Sequence, residues 1–248
     1  MNVSLFQAAA ALNASSRWQE VISENLASSS IPGFKKQELS FAAVQTGTMP
    51  ATTALGPQAY SLPRAQAATS FVPGEIKATG SKTDVAIEGA GFFEIQLANG
   101  ASAYTRDGEF QINSQGQLVT KTGQPVIGDS GPIQLDRDNS SPLTISAGGQ
   151  ISQGTDSKGR IKVVDFDDPT LLTPIGSGQF LASQPGLQPR EVTNPSVRQG
   201  YLEAANTSSV AEMAGLITAM RGFEANQHVI QLQDERMGRA ITELGSPN

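Results

Sequence analysis

Catalysis needs nucleophiles, bases or metal ligands, and this chain is poor in all three. It has one histidine, His228, and no cysteine. That removes the common nucleophile–base pairs and any thiolate metal site. Asp165, Asp167 and Asp168 form one acidic cluster, and Asp136 with Asp138 another. Neither has the ligand spacing of a twelve-residue calcium loop. Gly89-Ala90-Gly91 begins like a dinucleotide-binding turn, but Glu94 stands where the third glycine belongs and no helical pattern follows. No carboxylate pair stands out for glycoside hydrolysis. A net charge of -6 without a basic run argues against nucleic acid as a partner. The expectation is a protein without catalytic, cofactor or metal-binding residues, whose function lies in its surfaces.

The elements that carry those surfaces are read from periodicity. Residues near 3–28 and 207–244 predict long amphipathic helices, and the stretch between them is β-rich. Counting the C-terminal helix in steps of three and four from Met213 gives the seam Met213, Leu216, Met220, Phe223, Gln227, Ile230, Asp234, Met237, Ile241, Leu244. Only Gln227 and Asp234 break it, and a seam kept this long is the pattern of a coiled coil. His228 falls beside the seam, where packing or solvation suits it better than catalysis. Ser208 and Ser209, with Glu212 three residues on, supply a capping signal, and Gly245 followed by Pro247 a stop.

Gly215, Gly222 and Gly238 lie inside this helix, each costing roughly 0.5–1 kcal/mol relative to alanine. Gly215, Ala219 and Gly222 line a second face of small residues. Two readings stay open, tolerated glycine or the close passage of another helix. In the N-terminal helix Leu5, Ala8, Ala9, Leu12, Ile22 and Leu26 share a face, with Trp18 and Val21 beside it, and Pro32-Gly33 ends the element. The first basic residue is Arg17, so the start lacks the charged region of a cleaved signal peptide. No run approaches the roughly 20 apolar residues that span a bilayer.

Hydrophobic content is 38%, which argues against one thick core. Residues 35–73 show little periodicity and read as an extended or partly disordered connector. Strands are expected at 83–88, 91–97, 102–106, 109–113, 117–120, 133–135, 143–146, 160–166 and 179–182. Asn99-Gly100, Asp107-Gly108 and Gln115-Gly116 mark turns between the first of them. The fold class expected is α+β, mainly β: terminal helices paired as a coiled-coil-like assembly element, with a central antiparallel β domain. The boundaries are 1–34 for the N-terminal helix, 35–73 for the connector, 74–205 for the β domain and 206–248 for the C-terminal helix.

Several short motifs resemble those of bacterial flagellar rod and hook proteins. They are Asn25-Leu26-Ala27 followed by Pro32-Gly33-Phe34-Lys35, and 84–93, which ends in Gly91-Phe92-Phe93. Next come Tyr104-Thr105-Arg106-Asp107-Gly108-Glu109-Phe110, then 199–206 and 221–226. Ser28, Ile31 and Ala205 depart from the usual pattern, in which Asn, Thr and Ser stand. The resemblance implies an axial subunit of the flagellar basal body, exported unfolded by the flagellar export apparatus without a cleaved signal and built into the periplasm-spanning rod. Its partners would be copies of itself and neighbouring rod proteins, joined through the terminal helices, and it would transmit torque. Length favours a proximal rod subunit, with distal rod or hook-type protein as the alternative. A secreted β-rich adhesin remains a rival that gives no reason for paired terminal helices.

Overall fold

The computed structural model describes residues 3–49, 58–137, 139 and 141–245. Asp138 and Pro247, which figure in the sequence readings above, lie outside the described residues. Two compact units emerge, each assembled from separate stretches of chain. One comprises 1–26, 37–68 and 209–248, the other 27–36 and 69–208. These units cut across the boundaries read from the sequence.

The first unit holds helix α1, Val3–Ala27, helix α2, Ser209–Gly245, and two long strands, Gln37–Met49 and Gln58–Thr69, paired as a two-stranded sheet. The sequence predicted an extended connector where these strands lie. Extension is found, but as hydrogen-bonded strand. Ala, Thr and Gln dominate both strands, so they carry no alternation of polar and apolar residues for a period count to detect.

The second unit is antiparallel β. Its main sheet orders six strands as Thr173–Gly176, Gln179–Leu181, Ser102–Thr105, Phe92–Gln96, Val163–Asp165 and Arg190–Glu191. Successive side chains of a strand face opposite sides of its sheet, and Phe92 and Phe93 use this to seed two cores. Phe93 enters the larger, with Val85, Ile87, Ile95, Phe110 and Leu118. Phe92 enters an aromatic one with Tyr104, Phe166 and Phe180. Their rings meet edge-on, at 5.1 Å for Phe93 with Phe110 and 4.9 Å for Tyr104 with Phe166.

Eight of the nine expected strands have a counterpart. The exception, 133–135, runs beside residues 116–118 through the single bridge Gln117↔Gln134 and through backbone bonds of Ile133 and Leu135. Asn99-Gly100 and Gln115-Gly116 do turn hairpins, with φ of 82° at both glycines. Asp107-Gly108 does not. The strand before it pairs with Phe92–Gln96 and Gln179–Leu181, and the strand after it with Leu118–Thr120. Gly108 is there for closeness: a Cβ on it would lie 1.6 Å from the Val85 carbonyl oxygen.

Candidate functional site

The motif residues of the β unit converge on one buried junction, where segment 27–36 meets the strand Tyr201–Glu203. Gly33 adopts φ 66° and donates its N–H to the Glu203 carbonyl at 2.6 Å. A Cβ on Gly33 would sit 2.3 Å from the Arg106 carbonyl, so glycine is required by both conformation and space. Phe34 is buried beside it. Asn206 then ties the two segments together. Its Oδ1 accepts from the Lys36 N–H at 2.7 Å, its Nδ2 donates to the Ser70 carbonyl at 2.7 Å, and its N–H donates to the Phe34 carbonyl at 3.2 Å.

At the centre are three charges out of water. Lys35, Arg106 and Glu203 are 2%, 6% and 2% exposed. The Lys35 ammonium bonds the Glu203 carboxylate and donates to the Val72 carbonyl at 3.1 Å. Arg106 reaches the other Glu203 oxygen at 3.2 Å and the Gly89 carbonyl at 2.8 Å, and its guanidinium lies 5.3 Å over the Phe92 ring. The Gly74 N–H also donates to Glu203, at 2.8 Å. Burial lowers the pKa of both cations below the ordinary value, and the attraction of Glu203 only partly restores it. Two cations therefore share one carboxylate, and removing it leaves Lys35 without a counter-charge and Arg106 with only the weaker field of Asp165.

Next to the junction, Thr105 Oγ1 donates to the Gly178 carbonyl at 2.9 Å and accepts from the Asp107 N–H at 3.0 Å. Burial pushes the Asp107 carboxyl up to about 6, and the carboxylates of Glu109 and Asp84 add to the rise. The Glu109 N–H, donating to Asp107 at 2.9 Å, and Lys121 oppose it.

In the helical unit α1 and α2 run antiparallel: Ile22 lies beside Gly215, and Asn226 Nδ2 donates to Ser15 Oγ at 3.3 Å. Of the small-residue face, Gly215 and Ala219 are packed, whereas a Cβ on Gly222 would meet nothing within 4 Å. Ala219 is fully buried, and a Cβ on Gly215 would be 3.5 Å from Ile22. The seam counted from the sequence straddles the edge of that face. Met213, Met220 and Met237 are exposed, as are Gln227 and Asp234, while Leu216, Phe223 and Ile230 are half-buried. Leu12 and Leu26 are half-buried and Ile22 is buried, whereas the side chain of Leu5 lies outside the described residues. Asn25 clamps the first long strand with paired 2.9 Å bonds to the N–H and carbonyl of Gln37.

Gly33, Phe34, Phe92 and Arg106 thus meet around the junction. Phe93 and Tyr104 belong to the two cores, and Gly91, at φ 119°, lets the chain pass Val163. Ala27 is exposed. The sequence reading quoted Lys35 and Glu203 only inside longer motifs. Nothing local signals a pairing between residues 168 apart.

Residues 86–153 match the flagellar hook protein FlgE/F/G D1 domain, and residues 198–243 match the flagellar basal body rod FlgEFG protein C-terminal family. The chain is 33% identical over 230 residues to the flagellar basal-body rod protein FlgF of Caulobacter vibrioides, covering 92% of each chain. It is 34% identical over 261 residues to FlgG of Borreliella burgdorferi, covering 95% of this chain and 96% of that one. With FlgF of Salmonella typhimurium the identity is 31%, over 97% of both chains.

Proposed function

This chain belongs to the family of flagellar basal-body rod proteins, and from that premise we propose that it is a proximal rod subunit, with a distal or hook-type position as the alternative. It is a structural subunit of the rod, and the family is a structural one rather than a family of enzymes. The observation that carries this is likeness to rod proteins along nearly the whole chain, at both ends and in the middle. The proximal position rests on length: 248 residues supply one β unit and one helical unit.

The outward face of α2, with Met213, Met220 and Met237, is the surface through which copies and neighbouring rod proteins associate and pass torque along the axis. A long helix exposing that many large apolar side chains needs a partner to cover them. The chain reaches its place through the flagellar export apparatus without a cleaved signal. No helix among the described residues is long and apolar enough to cross a membrane.

A tag in the exposed turn at Gly186, in cells whose only copy carries it, tests this. Gold label at the inner-membrane end of purified basal bodies is expected. Label at the outer end assigns a distal position, and unlabelled basal bodies overturn the rod reading.

A further inference from the structure

Two arginines from separate stretches of the helical unit line a single notch. Arg17 on α1 and Arg64 on the strand Gln58–Thr69 border a cavity of about 370 Å³, walled otherwise by Ala10, Asn13, Ala14 and Ala65. No carboxylate lines it, and neither guanidinium has an ion-pair partner among the described residues. Like charges converging on one space repel, and in a chain of net charge -6 such a basic notch runs against the general trend. Guanidinium groups stay charged at any working pH and fork onto carboxylates. The alanines leave room for a side chain to enter.

The same unit holds the complementary charge. Glu224 is exposed on α2 without an ion-pair partner among the described residues. It continues the helical spacing of Met213, Ile217 and Met220, which are 52%, 55% and 49% exposed. A partner that covers that apolar stripe meets Glu224 at its end, where a cation is the complementary group. We propose that the Arg17–Arg64 notch of one copy receives Glu224 from the α2 stripe of an adjacent copy. This rests on the rod reading and deepens it, by naming the residues that set register between subunits.

The full chain has no cysteine, so introduced pairs report cleanly. In basal bodies carrying Arg64→Cys with Glu224→Cys, oxidation is expected to give a ladder of linked subunits that neither single variant gives. Reversal of the notch by Arg17→Glu with Arg64→Glu is expected to lower incorporation at least tenfold, with native circular dichroism, and addition of Glu224→Arg to restore it. Incorporation at wild-type level with the notch reversed overturns the proposal. So does a block that Glu224→Arg does not relieve, which would place the carboxylate on a neighbouring rod protein. Absence of the tagged wild-type chain from basal bodies would instead defeat the rod reading itself.

Discussion

Lys35 and Glu203 stand 168 residues apart in the chain and form an ion pair almost wholly removed from water. The pair binds the segment entering the β unit to the strand leaving it, and Arg106 fastens both to the interior.

Removing the shared carboxylate should cost far more than removing one cation. Glu203→Gln leaves two buried cations without their shared carboxylate and should destabilise the β unit by about 3–5 kcal/mol. Lys35→Met leaves Glu203 paired with Arg106, so about 1–3 kcal/mol is expected. Urea unfolding of the full chain measures both. Equal, small losses would show that the junction is hydrated and carries little.

Glycines that look alike in sequence should separate by environment. Gly108→Ala must move the Val85 carbonyl, and Gly33→Ala combines a positive φ with a clash at Arg106, so each should cost well over about 1 kcal/mol. Gly123→Ala, with a positive φ but open space around it, should lose only about 1 kcal/mol. Thermal melts of the three variants give the order directly.

Stability should rise on mild acidification because of Asp107. Its folded pKa, about 6, lies above the ordinary 3.8, so the folded chain keeps a proton that the unfolded chain releases. The contribution is complete below the unfolded value and is lost as pH rises through about 6. Between pH 7 and pH 5 the wild-type chain should therefore gain about 1 kcal/mol more than Asp107→Asn does. Identical pH profiles for the two would mean that Asp107 is solvated.

The two faces of α2 should respond differently. Ala219→Leu overfills the contact with α1 and should cost about 1–3 kcal/mol, with loss of helical circular dichroism. Met213→Asp alters an exposed position, so the isolated subunit should keep its helicity and melting point while failing to enter the rod. Motility and basal-body content distinguish the two, and a swimming Met213→Asp strain would count against the outward face as the assembly surface.

What the sequence made legible follows from what periodicity records. Alternation found Val85–Ile87 and Phe92–Gln96 because both lie against a core. It missed Gln150–Gln153 and Asp156–Arg160, where Ile151 is the one core side chain in an otherwise polar strand pair and so sets up no alternation to count. Counting large apolar residues gave α2 its extent and named half-buried Leu216, Phe223 and Ile230, but passed over the small residues between them. Gly215 and Ala219 make the contact with α1, and small residues carry no weight in such a count. The ionic junction was out of reach because Lys35, Arg106 and Glu203 become neighbours only after folding.

The chain passes between its two units at 26–27, 36–37, 68–69 and 208–209. An ordinary pair of domains shares one linker, and any force between them loads that single backbone. Here the load divides among four covalent strands, and the ends of two of them are knotted together inside the β unit by Lys35, Asn206 and Glu203. Cleavage of any one crossing would leave the units still joined, so resistance to shear is written into the order in which the chain threads its parts.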